Sequence, residues 1–455
     1  MGFASMFERR RIVRKPFRQQ SRIGIWAAFR ADGRHVERRS VSVRRLARLC
    51  PGICMAVVLA VAAFFGGTHA KGSETAWTRH TIDNSSRGAD GVRPFDVNGD
   101  GRLDLVTPWE EGGRVRAYLN PGREAVADSW PAVTVGSVGS PEDAVFVDLD
   151  ADGAVDVVSC CEGNTRTMFV HWAPVDRLRF LEASAWTTEA IPASEQKRQW
   201  MYCLPVQIDG RRGVDLLAGA KGPDAQIGWF EAPAAPRKLA DWKWHPICKA
   251  GWVMSLETVD VDGDGDLDVL ASDRRGAGRG CYWLENAGAA VADEKSWRKH
   301  LIGGNDREVM FMRSADVDRD GQLDIVCAVS RGPLLFLRGL PGRSPRWATH
   351  SIPMPEGTGT GKAVHVGDID LDGQQDIVFT CESAKHKSGV VWLSQPSDQP
   401  IEEARWASHE ISGTDEGVKF DLIQLIDIDE DGDLDVLTCE ERDNLGVIWY
   451  ENPAR

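Results

Sequence analysis

The sequence predicts an all-β fold, a seven-bladed β-propeller whose ring is closed by the N-terminal strand pairing with the last blade. Three observations predict it. One acidic nine-residue block recurs at intervals of about 52–59 residues, the length of a four-stranded blade. An aromatic strand and a Trp-x-x-x-x-Ile/Val strand recur with the same period. The periodic part opens on a spare copy of the last strand and stops one strand short of a full unit.

The acidic block reads Asp96-Val97-Asn98-Gly99-Asp100-Gly101-Arg102-Leu103-Asp104, and it restarts at Asp148, Asp260, Asp316, Asp368 and Asp427. An altered seventh copy runs from Gln207 through Asp209, Arg211 and Arg212 to Asp215. Strand A enters each block, with starts near 91, 144, 203, 254, 311, 363 and 421. Strand B leaves it on apolar pairs such as Leu105-Val106, Val157-Val158 and Ile325-Val326. Strand C carries Tyr118, Trp172, Trp229, Trp283, Phe336, Trp392 or Trp449. Strand D runs from Trp130 to Val135, Trp186 to Ile191, Trp242 to Ile247, Trp297 to Ile302, Trp347 to Ile352 and Trp406 to Ile411. Trp77 to Ile82 is the spare D strand, and Ile448-Trp449-Tyr450 is a C strand with none of its own. Pairing the two removes a sheet edge that would otherwise invite aggregation.

The chain has 455 residues and a formal net charge of -14. Residues 1–70 hold 14 Lys and Arg against 3 Asp and Glu. Within them Arg44, Arg45 and Arg48 lead into an apolar run from Ile53 to Phe65, followed by Gly66, Gly67 and Thr68-His69-Ala70. That order is expected of a secretory signal peptide, with a retained membrane anchor as the alternative. Residues 1–70 therefore read as a basic leader and signal, and 71–455 as one propeller. The expected location is exported: periplasmic, cell-surface or extracellular. The acidic mature chain argues against nucleic acid.

The blocks are expected to hold calcium. Oxygens at positions one, three, five and nine, with Gly at six, make a cage of hard donors. The candidate ligands are Asp96, Asn98, Asp100 and Asp104; Asp148, Asp150, Asp152 and Asp156; Asp260, Asp262, Asp264 and Asp268; Asp316, Asp318, Asp320 and Asp324; Asp368, Asp370, Asp372 and Asp376; and Asp427, Asp429, Asp431 and Asp435. Glycines such as Gly101, Gly153 and Gly265 permit the sharp turn. Position twelve is Thr107, Ser159, Ala271, Cys327, Phe379 or Thr438, never the Glu of an EF-hand, and the flanks are strand-like. In the altered copy Gln207 and Arg211 replace ligands. That loop is expected to be empty, with Arg211 pairing to Asp209 or Asp215 in place of an ion.

These turns and aromatic strands resemble the FG-GAP/VCBS repeat family, whose best-known relative is the integrin α-subunit propeller. The resemblance covers about 385 residues, from Lys71 to Arg455. It implies the propeller and its calcium and leaves activity open. The Phe-Gly/Gly-Ala-Pro half of the family signature is reduced to Gly219-Ala220-Lys221-Gly222.

Functional groups are expected on the face opposite the acidic blocks. There the B–C turns carry Glu110, Glu162, Lys221, Asp273, Arg274, Glu382 and Glu441. The starts of strand A add Arg93, Glu142, Asp143, Arg198, Trp252, Arg313, Lys362 and Lys419. The leading expectation is a binding or scaffold module for an extracellular protein or polysaccharide. Two alternatives are a structural surface-layer component and a carbohydrate-active enzyme, since VCBS-type propellers resemble the catalytic discs of some polysaccharide lyases and of aldos-2-ulose dehydratase. His365, His386 and Lys362 are the candidate bases for the enzyme, with Glu142 or Glu162 as partner. His80, His245, His300, His350 and His409 share one strand-D position and read as structural. Eight cysteines follow the leader without zinc spacing, and Cys160 or Cys161 could bridge to a neighbouring blade.

Overall fold

The computed structural model describes residues 76–455, apart from 287, 289, 290, 343, 397, 398, 400, 402 and 403. The leader and its cleavage signal lie outside the described residues. Among those described, no helix is long and apolar enough to cross a membrane.

Strand β1 (Thr78–Asp83) stands ahead of the first blade. Blade 1 is β2 (Arg93–Phe95), β3 (Asp104–Trp109), β4 (Arg114–Tyr118) and β5 (Ala132–Ser137). Blade 2 is β6 (Pro141–Val147), β7 (Asp156–Cys161), β8 (Met168–Trp172) and β9 (Thr187–Ala190). Blade 3 is β10 (Gln199–Val206), β11 (Asp215–Lys221), β12 (Gln226–Glu231) and β13 (Lys243–Lys249). Blade 4 is β14 (Val253–Val259), β15 (Asp268–Asp273), β16 (Gly280–Glu285) and β17 (Arg298–Gly303). Blade 5 is β18 (Val309–Ala315), β19 (Asp324–Val329), β20 (Leu334–Gly339) and β21 (Trp347–Ile352). Blade 6 is β22 (Thr360–Gly367), β23 (Asp376–Glu382), β24 (Val390–Ser394) and β25 (Ala407–Glu410). Blade 7 is β26 (Phe420–Ile426), β27 (Asp435–Glu440) and β28 (Gly446–Glu451), and β1 is its fourth strand, pairing antiparallel to β28 with His80 opposite Trp449. Seven four-stranded sheets thus form a β-propeller.

One carboxylate repeats in all seven blades. The last residue of strand A is paired with the Asp that opens strand B: Phe95 with Asp104, Val147 with Asp156, Val206 with Asp215, and so on to Ile426 with Asp435. Its Oδ2 accepts the amide of the block's second residue, such as Val97, Leu149 or Ile208. Its Oδ1 accepts an amide just beyond strand C, such as Asn120, Ala173 or Ala232. The same two bonds recur at Asp268, Asp324, Asp376 and Asp435. Each of these side chains is buried. Burial pushes them up to about 6 or 7, against the pull of the amides.

The aromatic slots account for the outer half of each blade. The strand-D histidines lie opposite the strand-C aromatics; four stack on a Trp, with ring centroids 4.4 Å apart for His80 and Trp449 and 4.0 Å for His409 and Trp392, and His350 is tilted against Phe336 at 5.9 Å. Three of these histidines also meet a carboxylate at the strand end: His80 to Glu451, His245 to Glu231 and His300 to Glu285. His171 is different. It is fully buried on β8, with Nε2 2.9 Å from Ser159 Oγ and Nδ1 2.9 Å from Thr188 Oγ1. Burial lowers its pKa to about 3, so it is neutral in the fold.

Adjacent blades are tied by polar contacts as well as packing. Arg93 binds Asp143 through two bonds of 3.0 and 3.1 Å, and Asp143 also accepts the Cys203 amide. Ser314 binds Glu257, and Gly91 N approaches Cys439 Sγ at 3.1 Å between blades 1 and 7. All eight described cysteines are free thiols, and the Cys160 thiol faces that of Cys203 across blades 2 and 3.

Two outcomes follow. Asp215→Ala should lower unfolding free energy by about 2–4 kcal/mol, because two buried amides lose their acceptor. Measured by urea denaturation, this loss should be equal with and without chelator, since the altered loop is expected to hold no ion. The second concerns pH. His171 has a folded pKa below its unfolded value, so the unfolded chain binds the extra proton. Its stabilising contribution is complete above about 6.5 and falls as pH drops, by up to about 2 kcal/mol at pH 5. Denaturation of His171→Gln at pH 7 and pH 5 should show a shallower pH dependence than the parent.

Candidate functional site: the axial mouth and the acidic loops

The antiparallel order places the A–B loops on one face and the B–C turns with the strand-A starts on the other. On that second face a cavity of about 240 Å³ is lined by Asp90, Glu142, Met201, Met254, Phe311, Lys362 and Asp421 among others. A single device puts most of them there. In blades 2 to 7 the A–B register slips at the start of strand A. The slip falls between Pro141 and Asp143, Trp200 and Tyr202, Val253 and Ser255, Val309 and Met312, Gly361 and Val364, and Phe420 and Ile423. The residues left unpaired include Glu142, Met201, Met254, Phe311, Lys362 and Asp421. A bulge re-aims its side chain, and here it supplies one mouth residue per blade. Blade 1 contributes Asp90 instead, beside the isolated bridge from Ala89 to Trp109.

The ring has two faces. Blades 3, 4 and 5 present Met201, Met254 and Phe311, backed by Tyr202 and Trp252. Blades 6, 7, 1 and 2 present Lys362, Asp421, Asp90 and Glu142. On the polar face Lys362 Nζ lies 2.8 Å from Asp421 Oδ2, and Lys221 Nζ lies 3.2 Å from Glu142 Oε1 and also pairs with Glu162. Lys419 pairs with Glu441 behind it. Asp90 is within reach of both Asp421 and Glu142.

Carboxylates outnumber the cations that neutralise them, and the titration behaviour reflects it. Burial, reinforced by Glu142 and Asp421, raises Asp90 well above the usual carboxylate range. Burial, with Asp90 and Asp421, pushes Glu441 up to about 10. Burial would raise Asp421 too, but Lys362 and Lys419 outweigh it and hold it at about 2. Burial would lower Lys362, yet Asp421 and Asp90 keep it well above the ordinary lysine value.

The acidic loops share one construction on the opposite face. The first carboxylate accepts the amide of the sixth-position glycine, as Asp96 does from Gly101 and Asp148 from Gly153. The third accepts from the amide of the fifth, and the fifth from that of the seventh, as Asp262 Oδ1 does from Asp264 and Asp264 Oδ1 from Asp266. Position six is left-handed throughout, with φ between 81° and 99°, which requires glycine. Position four is left-handed as well, and there Ala151, Arg319, Leu371 and Glu430 adopt it without being glycine. These bonds turn the remaining oxygens toward a common point, and Asp148, Asp150 and Asp156 come within 4.8 Å of one another, as do Asp260, Asp262 and Asp268.

The residues fit a hard divalent cation. Asp148 Oδ1, Asp316 Oδ1 and Asp368 Oδ1 are buried without a hydrogen-bond partner. In the 427 loop Asp433 is 2% exposed, with neither carboxylate oxygen partnered. Such groups are costly unless something positive meets them. In the altered loop Arg211 lies 3.6 Å from Asp209 and 3.9 Å from Glu231.

The three candidate bases are not brought together. Lys362 is in the mouth, held as an ammonium, the wrong state for a general base. His365 lines a separate cavity of about 30 Å³ with Arg313 and Glu257, and its Nδ1 accepts the Val366 amide at 3.0 Å. Burial, together with Arg313, lowers it to about 3. His386 is exposed in the β23–β24 turn. Glu110, Glu142, Asp143, Glu162, Lys221, Trp252, Lys362 and Lys419, expected on this face, do line the mouth. Asp90, Met201, Tyr202, Met254, Phe311 and Asp421 were not anticipated, and Asp433 was not anticipated as a loop carboxylate. Lys362→Met should destabilise by about 3–5 kcal/mol by leaving Asp421 buried and unpaired. Adding Asp421→Asn should recover much of that loss in a double-mutant denaturation cycle.

No curated protein matches the sequence. Among solved structures, BBS1N in complex with ARL6DN, soaked with mercury, is similar with a TM-score of 0.48 at 10% identity, over 83% of this chain and 96% of that one. The lead-soaked form gives 0.48 and 10%, over 84% and 98%. The FG-GAP-like repeat matches residues 96–159 and 316–379, each running from one acidic loop through strand B of the next blade. The chain is thus a seven-bladed β-propeller that carries FG-GAP-like repeats.

Proposed function

We propose that this chain is an exported, calcium-stabilised binding module whose axial mouth takes a polar ring-bearing ligand, a sugar unit of an extracellular polysaccharide. The observation that carries the reading is the two-faced ring of bulge residues. Sugars offer an apolar C–H face and an edge of hydroxyls. Phe311, Met254 and Met201 suit the first, and Asp421, Asp90, Glu142 and Lys362 suit the second. Six acidic loops, three of them with carboxylate oxygens within 4.8 Å of one another and several with unpartnered oxygens, support calcium as the stabilising ion. The basic leader supports export.

Calcium would be held by the loop carboxylates on the face away from the mouth, where it would neutralise their repulsion and stiffen the turns. The mouth would bind with its own side chains. The experiment is retention on a polysaccharide and glycan panel with calcium and with chelator, together with thermal unfolding in both. A specific glycan should be retained, and Phe311→Ala should lose it. Chelation should lower the unfolding midpoint, since a site saturated at a hundredfold excess adds about 2.7 kcal/mol. Retention of a partner that Phe311→Ala and Glu142→Gln leave untouched would move the binding site elsewhere. A midpoint indifferent to chelator would remove calcium from the reading.

A further inference from the structure

The six acidic loops are not equivalent, and arginine makes the difference. In each loop Oδ1 of the third and fifth residues accepts a backbone amide, which leaves Oδ2 of each aspartate outside that pattern. In the 148 loop Arg237, from the β12–β13 connection of the next blade, bonds Asp150 Oδ2 and Asp152 Oδ2 while its guanidinium lies 4.5 Å over Trp172. In the 316 loop Arg338 of β20 does the same to Asp318 Oδ2 and Asp320 Oδ2. In the 96 loop Arg102 and Asn98 both donate to Asp100 Oδ2. Among the described residues, no lysine or arginine is ion-paired to the first, third or fifth carboxylate of the 260, 368 or 427 loops. Two of these three open loops also carry an additional acid at position seven, Asp266 and Asp433. Asp433 is the buried, unpartnered one.

We infer that Arg102, Arg237 and Arg338 divide the loops into two classes of metal site: the loops at 260, 368 and 427 take calcium first, and those at 96, 148 and 316 take it only when a guanidinium gives way. This rests on the calcium reading above and adds which of this chain's residues set the order. Arg237 and Arg338, each bonded to two carboxylates, neutralise the charge that draws in the ion and occupy the oxygens that would ligate it, and Arg102 with Asn98 does so at Asp100 alone. Asp150 and Asp318 are 8% and 9% exposed, so these bonds are largely shielded from water. Displacing such a charge-assisted contact should weaken binding by about tenfold or more. The altered loop is the end of the same series. There Arg211 is built into the fifth position and lies against Asp209.

The test is native mass spectrometry of the chelator-stripped full chain, titrated with calcium alone. Three ions should enter first and three more at about tenfold higher free calcium or above. Arg237→Gln and Arg338→Gln should each move one ion into the early class, whereas Arg237→Lys should move none fully. Asp370→Asn should remove an early ion and Asp318→Asn a late one. Arg237 is half exposed, so its replacement should leave the fold intact, and the thermal midpoint checks this. Six ions entering with one affinity, or an order unchanged by both arginine substitutions, would overturn the inference and leave the calcium reading standing. Uptake of no ion by any variant would overturn the calcium reading itself.

Discussion

Each blade depends on one buried aspartate that accepts two backbone amides. Asp104 and its six counterparts open strand B, bind back to the second residue of the A–B loop, and bind outward to the amide that follows strand C. A carboxylate withdrawn from water is stable only when donors surround it. The chain meets that demand with amides that would themselves be unpaired at a loop and a strand end. One side chain thereby sets the loop's turn and the position of the third strand. The altered loop keeps Asp215 with both bonds although Gln207 and Arg211 have replaced the acids at positions one and five. The strut and the cage are separable, and the strut is common to all seven blades.

With the loops fixed on one face, the other face is free to vary. Six bulges at the start of strand A turn side chains out of the sheet and into the axis. Because the bulge is a backbone feature, blades that share it carry side chains of different chemistry at the same place. Three blades use an apolar side chain and four positions around the polar half use charged ones. The price is carried in protons: Asp90 and Glu441 are held far above the usual carboxylate range so that the lysines can balance what remains.

Much of this was legible in the residues. The nine-residue blocks marked the loops, the Trp-x-x-x-x-Ile segments marked strand D, and the repeated position of His80, His245, His300, His350 and His409 marked a blade role that their ring contacts with strand C explain. Lys362 and Glu142 were recognised as mouth residues because charges at the start of an inner strand have few other places to go, and Lys221 because it sits at a B–C turn on the same face. Met201, Met254 and Phe311 were not, since an apolar residue in an apolar strand carries no mark of facing the axis. The left-handed fourth position of the loops was hidden for the same reason, because Ala151, Arg319 and Leu371 do not advertise a positive φ.

The sequence by itself determined the number of blades, the loops and the strand order, because these follow from local periodicity and from turn chemistry that only Asp, Asn and Gly can supply. Tertiary structure decided which residues meet. A register slip of one or two residues is invisible in a string of letters, yet it turns a side chain from the interblade core to the axial mouth. Likewise Arg237 reaches the 148 loop from 85 and 87 residues away in the chain, a contact that exists only once two blades lie side by side.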